Sequence, residues 1–332
     1  MNFTLIICTY MRPKPLLDLL NSVKKQSLYP NEILIIDGST NEETKLMLSQ
    51  NIFQKLIYHK VPDNERGLTK QRNYGINRTS PDSEVICFLD DDTILEHNYF
   101  EEIINEFKKD NNIVGVSGVA INEYKWERKQ TNKSYSRLTY YQFEDYVYPE
   151  GLRNIVRNIF GLQSNLAPGR MPEFSNGRTC GFPLNDKSYE VDLLIGMSFS
   201  FRRIVFESNK FSNYFEGYGL YEDADYSLRA LNYGKNVVTT KAKLSHFHDS
   251  AGRPNKFLYG KMVVRNGWFV WRVKYPKPSL KARMKWNAIV LLLTFIRFSN
   301  IFTTNKRQEA ATEFLGRFIG WISLFISKPK EN

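Results

Sequence analysis

Cysteine is scarce in this chain. Only Cys8, Cys87 and Cys180 occur among 332 residues. Three thiols cannot build a disulfide framework, which excludes the small stapled secreted scaffolds. Cys8 and Cys87 each lie inside an apolar run and read as small buried hydrophobes. A reducing compartment fits that usage. Long apolar stretches are also lacking. A spanning helix needs roughly 18 apolar residues in succession; the nearest run, WNAIVLLLTFIRF, covers 286–298. The opening segment MNFTLIICTYMRP has neither a basic n-region nor a small-residue cleavage site, so no signal peptide is predicted. No internal repeat is found. No glycine-rich phosphate loop follows the first apolar run, because Met11-Arg12-Pro13 contains no glycine.

Apolar residues make up 42% of the chain and charged residues 24%, enough to bury a core and to exclude disorder, collagen and coiled coil as the main state. The length corresponds to one or two domains. Lys and Arg number 46 against 35 Asp and Glu, a net charge of +11. That excess favours an anionic partner: a nucleotide, a nucleic acid or an acidic lipid.

The first half alternates apolar strands with helices. Strands are predicted at 5–8, 32–37, 56–61, 85–90 and 113–120. Helical patterns start near Pro15 and Glu42 and cover 69–77 and 99–107. Continuous apolar strands separated by helices predict an α/β fold with a mostly parallel central sheet covered by helices on both faces. In such sheets ligands bind beyond the carboxyl ends of the strands. From about 124 to 190 periodicity is weak and Tyr, Asn, Gly and Arg are frequent, so a long functional loop is expected there.

The strongest chemical signal is FLDDDT at 88–93. Three carboxylates at the end of a buried strand repel one another and are poorly solvated. A divalent cation with oxygen ligands neutralises such a cluster and can carry a diphosphate. In extended chain Asp90 and Asp92 point one way and Asp91 another. The competing reading is a solvated acidic turn, or a helix N-cap with Asp92 leading into 93–106. Other predicted strand ends converge on the same edge: Thr9 and Arg12, then Asp37, then Lys70 and Arg72 in ERGLTKQRNYGI. Further on, Glu222, Asp223 and Asp225 open a helical pattern, where acids are also ordinary dipole partners. His246 and His248 follow a late strand at spacing two, which puts both on one side.

Together these segments resemble the family 2 glycosyltransferases with the GT-A fold. The resemblance spans roughly residues 1–250 and rests on an ordered series: CTYMRP, IIDGST, GLTKQRNYGI, FLDDDT, GMSFSFRR, YEDADYSLRA and HFH. It implies a GT-A domain over 1–255, with a nucleotide-binding half at 1–120 and an acceptor half at 121–255, followed by a basic amphipathic helical extension at 256–332. Thr9 and Arg12 then look like nucleotide-pocket residues and Asp37 like the acid that hydrogen-bonds the base. Lys70 and Arg72 resemble the residues flanking the nucleotide and its phosphates. Asp90 and Asp92 match the DxD motif, with Asp90 nearer the ribose, Asp92 on the metal, and Asp91 as its substitute in an open register. Asp223 matches the general base of inverting members, and His246 or His248 a late metal ligand. The implied cofactor is Mg²⁺ or Mn²⁺, and the implied donor a nucleoside diphosphate sugar. Tyr10-Met11 departs from the short polar stretch of many members, and the QxxRW pattern of processive synthases is missing, which implies addition of one sugar.

After Arg265 the composition shifts. Arg272, Lys274, Lys277, Lys281, Arg283 and Lys285 occur without an acid among them, beside the apolar run at 286–298 and an apolar helical stripe at 314–326. Such segments suit an anionic membrane surface, and equally suit packing on the catalytic domain or on a second copy as a homodimer. The expected location is cytoplasmic, at the inner face of the membrane, near a glycan or lipid-linked acceptor. Nucleotidyltransferase, nucleic-acid-binding and non-catalytic readings are the rivals. Scattered basic residues without a recognition motif argue against nucleic acid.

Overall fold

A computed structural model describes residues 1–178, 180–248 and 254–330. The strands are β1 (Phe3–Thr9), β2 (Glu32–Asp37), β3 (Leu56–Lys60), β4 (Val85–Asp90), β5 (Thr93–Leu95), β6 (Ile113–Ala120), β7 (Glu127–Arg128), β8 (Tyr140–Phe143), β9 (Tyr146–Pro149), β10 (Ser188–Val191), β11 (Ser198–Arg202) and β12 (Lys235–His246). The helices are α1 (Pro13–Val23), α2 (Glu43–Ser49), α3 (Leu68–Ile76), α4 (Tyr99–Lys109), α5 (Leu152–Ile159), α6 (Arg203–Ser208), α7 (Glu222–Ala230), α8 (Lys256–Lys274), α9 (Leu280–Thr303) and α10 (Arg307–Ile326).

The described residues divide into two compact units. The first holds 1–124 and 184–248. Its sheet runs β10-β12-β6-β11-β4-β1-β2-β3, with β5 paired to β12. The five strands expected in the first half all form, and β4-β1-β2-β3 are parallel neighbours. As expected, most strands of the sheet run one way, β1, β2, β3, β4, β6 and β12; β11 enters antiparallel between β4 and β6, and β5 and β10 lie antiparallel on β12. These later strands are short, so their direction is set by which neighbour has an open edge, which pattern alone does not encode.

Alternation divides β1 between two layers. Phe3, Leu5 and Ile7 join Leu16, Leu19, Leu20, Phe100 and Phe107 in one core beneath α1 and α4. Ile6 faces the other way, onto Gly75 of α3. An aromatic cluster of Phe88, Phe199, Phe206, Phe211 and Tyr226 belongs to the α6 and α7 side; Phe211 and Tyr226 stack at 4.1 Å. The helix reading of 93–106 is replaced: 93–95 form β5 and the helix starts at Tyr99, because Leu95 pairs with Leu244 and is buried. Burial pushes the Cys8 and Cys87 thiols up to about 12, as inert small hydrophobes require.

The second unit joins 125–183 with 254–330. The expected long loop is therefore not one loop. It contains the three-stranded sheet β7-β9-β8 and α5, while β10 belongs to the first unit. Strands of two to four residues are too short to show a period. What forms them is aromatic packing: Trp126 meets Tyr148 at 5.3 Å and Tyr141 at 5.8 Å, and Phe143 meets Phe182 at 5.8 Å. Trp271 of α8 and Trp286 of α9 stack at 5.1 Å, and the Trp271 indole donates to the Glu173 carbonyl. Among the described residues α9 alone is long and apolar enough to cross a membrane, with an 18-residue window of mean hydropathy 1.4. Its apolar register extends beyond 286–298, which the strict run of apolar letters hides.

Gly260, Gly316 and Gly320 set the crossing of α8 and α10. A Cβ on Gly316 would stand 2.0 Å from the Phe257 carbonyl oxygen, and one on Gly260 2.4 Å from that of Glu313. Backbone cannot rotate away as a side chain can. Gly316→Ala is therefore expected to cost about 1–3 kcal/mol as an overpacking lesion, measured by thermal or denaturant unfolding. An unchanged transition would show that α8 and α10 do not pack this closely.

Candidate active site

The parallel register aligns the strand ends. Thr9 stands opposite Asp37, and Cys8 opposite Asp90. The carboxyl edge thus gathers Thr9, Asp37 and Asp90 before any tertiary contact is considered. Just beyond it, the Asp90 carbonyl accepts from Thr93 Oγ1 at 2.9 Å, closing the turn that carries all three aspartates. β12 returns the chain to this turn: His246 pairs with Thr93, and the Phe247 N–H donates to the Asp92 carbonyl at 3.1 Å.

Asp90, Asp92 and His246 converge, with one ligand atom of each lying within 4.8 Å of the others. His246 Nε2 is 3.3 Å from Asp92 Oδ1 and 4.0 Å from Asp90 Oδ2. Burial raises the Asp90 pKa, and the neighbouring Asp92 adds to the shift against the pull of Arg72. Burial opposes the protonated ring of His246, but the hydrogen bond to Asp92 and the charges of Asp90 and Asp92 outweigh it and raise its pKa. Two hard carboxylates and one imidazole, with burial opposing charge on one acid, form a donor set that fits Mg²⁺ or Mn²⁺.

His248 lies beside His246, with ring centroids 4.0 Å apart, and the two histidines form a second candidate ligand group with Glu123. The His248 Nε2 meets Glu123 Oε1 at 2.6 Å, and Glu123 also reaches His246 Nδ1 at 3.5 Å. Only His246 belongs to the aspartate cluster. Asp91 turns away from it, as alternation in the strand predicts. It is buried, accepts from Thr9 Oγ1 at 2.6 Å and from Arg12 at 3.0 Å, and burial pushes it up to about 7. Arg12 also lies 3.6 Å from Asp92. Thr9 and Arg12 therefore act here as holders of the acidic turn. The loop between them turns through Met11 at φ 59°, a left-handed conformation, and the Met11 N–H donates to Ser39 Oγ.

Asp37 is fully buried. It accepts from the Ser39 N–H at 2.8 Å and from the Tyr58 hydroxyl at 2.9 Å. A contact from a nucleobase would share these oxygens, each of which has two lone pairs. Lys70 pairs with Glu216 at 3.1 Å. Arg72 is 2% exposed and lies underneath the acids rather than in the open. It pairs with Glu222, stands 3.7 Å from Asp90, and packs over Phe199 at 4.7 Å. Burial pushes Glu222 up to about 8 against the pull of Arg72. Arg72 itself stays above its ordinary range despite burial, because Glu222 and Asp90 hold its charge. It is the permanent charge of this group.

Asp223 follows Glu222 in the first turn of α7. The turn is entered through Tyr221 at φ 72°, a strained left-handed residue of the kind found beside reactive groups. Asp223 Oδ2 accepts from the Gly196 N–H at 3.0 Å, while the adjacent Met197 carbonyl accepts from the Asp90 N–H at 3.0 Å. One short turn thus ties Asp223 to Asp90. Asp225 keeps the ordinary role, paired with Arg229 at 2.5 Å. Arg202 and Arg203 donate to the carbonyls of Ile113 and Ser83 and stand outside the cluster. Tyr58, Glu123 and the Arg72–Glu222 pair were not legible from local sequence, since each takes its place only when distant segments meet.

Residues 4–167 match the family model described as Glycosyl transferase family 2. The chain belongs to glycosyltransferase family 2. It is similar to the glucosyl-dolichyl phosphate glucuronosyltransferase of Haloferax volcanii, at 23% identity over 37% of this chain and 40% of that protein. It is also similar to the O-antigen chain rhamnosyltransferase RfbN of Salmonella typhimurium, at 30% identity over 29% of each. The chain thus spans well under two thirds of these relatives. A crystal structure of GalNAc-T7 with UDP, GalNAc and Mn²⁺ superimposes with a TM-score of 0.51 at 16% identity, over 82% of this chain and 50% of that one. That likeness confirms the GT-A fold in this family 2 chain.

The buried pair makes a sharp prediction. Arg72→Met leaves Glu222 and Asp90 uncompensated and is expected to cost about 3–5 kcal/mol of unfolding free energy. The double variant Arg72→Met/Glu222→Leu should recover a large part of that loss in the same denaturation experiment. Equal loss in the single and double variants would show that the pair is not coupled.

Proposed function

We propose that this chain is a metal-dependent inverting glycosyltransferase. It moves one sugar from a nucleoside diphosphate sugar, a UDP-sugar in the first instance, to an acceptor hydroxyl in surface-glycan synthesis. The observation that carries the reading is the convergence of Asp90, Asp92 and His246 at the carboxyl edge, with Asp223 tied to Asp90 through Gly196 and Met197. The GalNAc-T7 structure, which holds UDP and Mn²⁺, supports the donor class and a divalent cation.

In this reading Asp92, Asp90 and His246 hold the cation, and Mg²⁺ or Mn²⁺ there supplies charge neutralisation for the leaving diphosphate. Asp90 also faces the ribose. Thr9, Arg12 and Asp91 fix the turn, and Asp37 with Tyr58 lies at the base end of the pocket. Lys70 flanks the phosphates, while Arg72 acts from below by holding Asp90 and Glu222. The Asp223 carboxylate takes the proton of the acceptor hydroxyl as that oxygen bonds to the anomeric carbon and the bond to the diphosphate breaks. Attack opposite the leaving group inverts the carbon. Free thiols and a nucleotide-sugar donor suit the cytoplasm, with the C-terminal helices in contact with the inner membrane face and the acceptor lipid-linked.

A donor screen tests this. UDP-, GDP- and dTDP-sugars are supplied with Mn²⁺ and nucleoside diphosphate release is followed. Release is expected from one donor, lost with EDTA and in Asp92→Ala. Asp223→Asn should lower transfer by about 10²–10⁴-fold, the usual worth of a general base, while UDP binding is retained. Normal turnover in Asp223→Asn would remove it from the mechanism, and release insensitive to EDTA would remove the metal.

A further inference from the structure

Glu123, His246 and His248 form a second donor set beside the aspartate cluster, with one ligand atom of each lying within 4.8 Å of the others. Backbone pairing builds it. The Ile121 N–H donates to the Leu244 carbonyl at 2.8 Å, which holds the end of β6 against β12. Asn122 then grips the His246 backbone twice: its Nδ2 donates to the His246 carbonyl at 2.7 Å, and its Oδ1 accepts from the His246 N–H at 3.0 Å. Glu123 is the next residue, so its carboxylate is delivered to the two rings. Glu123 Oε1 lies 3.5 Å from His246 Nδ1 and 2.6 Å from His248 Nε2. A tetrahedral ion with bonds of about 2.0–2.2 Å to nitrogen and oxygen sets neighbouring ligand atoms about 3.3 Å apart. The contact to His246 already has that spacing. The contact to His248 must open by about 0.7 Å to reach it. The Glu123 and His248 side chains are 47% and 56% exposed, which leaves room for that adjustment and for an ion to enter from solution.

The two donor sets suit different ions. Asp90 and Asp92 contribute hard oxygens, which Mg²⁺ and Mn²⁺ prefer. Two imidazoles with one carboxylate suit zinc, a borderline ion. The sets also share a ring. His246 Nε2 faces Asp92 at 3.3 Å, while Nδ1 of the same ring faces Glu123. A neutral imidazole has one nitrogen free to coordinate, and the other carries the proton. Metal on Nδ1 therefore leaves the proton on Nε2, which then donates to Asp92 and cannot ligate a cation there. Metal on Nε2 leaves the proton on Nδ1, where Glu123 accepts it and orients the ring. We propose that Glu123, His246 and His248 bind Zn²⁺, and that this ion competes with the cation at Asp90 and Asp92 for the one imidazole they share. The zinc site stands on its own three residues; the antagonism rests on the transferase reading, in which His246 holds the catalytic cation.

The test uses the untagged full chain. Zn²⁺ binding is measured by competition with a chromophoric chelator, and Mn²⁺ binding by the paramagnetic resonance signal of the free ion. His248→Gln and Glu123→Gln should each weaken Zn²⁺ binding by at least about tenfold, the smaller loss typical of an outer partner of a metal ligand. His248→Gln, at an exposed position outside the aspartate cluster, should keep Mn²⁺ binding, which also shows that the variant is folded. In the wild type, Zn²⁺ should weaken Mn²⁺ binding, and in His248→Gln that effect should need at least about ten times more Zn²⁺. Zn²⁺ affinity unchanged in both variants would overturn the site. Displacement of Mn²⁺ at equal Zn²⁺ in wild type and His248→Gln would overturn it too, since zinc would then be entering between Asp90 and Asp92 directly. Zn²⁺ and Mn²⁺ bound together without mutual effect would overturn the shared ring. A wild type that binds Zn²⁺ through Glu123 and His248 but binds no Mn²⁺ would count against the cation of the transferase reading and leave the zinc site standing.

Discussion

A single buried guanidinium underlies the geometry of the candidate site. Arg72 comes from α3, Asp90 from the end of β4 and Glu222 from the start of α7. Glu222 lies far from the other two in the chain; Arg72 and Glu222 bring their charges into the interior, while Asp90 stands part-exposed at its edge. Without Arg72, the buried Glu222 carboxylate would lose its counter-charge and Asp90 one of its two cationic neighbours, a loss of several kcal/mol. With it, the acids are held at fixed positions and Asp223, next to Glu222, is carried into place. The aromatic rings of Phe88, Phe199 and Phe211 surround the guanidinium and exclude solvent, which strengthens every charge interaction above them.

The acidic turn obeys the same logic in the opposite direction. Asp91 faces inward and is neutralised by Thr9 and Arg12, so the turn is anchored from below. That anchoring frees Asp90 and Asp92 to face His246 on the outer side. Three consecutive aspartates therefore divide their work by alternation: the middle one is structural, and the flanking pair is available to a cation. A chain with one acid fewer would lose either the anchor or the ligand.

The second unit depends on shape rather than charge. Glycines at 260, 316 and 320 let α8 and α10 approach until backbones touch, and the Trp271–Trp286 stack joins α8 to α9. Close packing on that side leaves large apolar side chains of α5, α9 and α10 in contact with solvent.

Periodicity determined much by itself. The five N-terminal strands, their helices, the convergence of Thr9, Asp37 and Asp90 on one edge, and the outward pairing of Asp90 with Asp92 all follow from alternation and strand ends. These depend on neighbours a few residues apart, and local physics decides them. Tertiary structure alone decided the rest. Arg72 became a buried counter-charge instead of a phosphate contact, because Glu222 arrives from 150 residues away in sequence. His246 rather than His248 reaches Asp90 and Asp92, while Glu123, just beyond β6, faces both rings. The region 125–183 acquired a sheet and a helix through aromatic contacts too sparse to leave a period. A charge's role is set by what lies within a few ångströms of it, and for these residues those neighbours come from elsewhere in the chain.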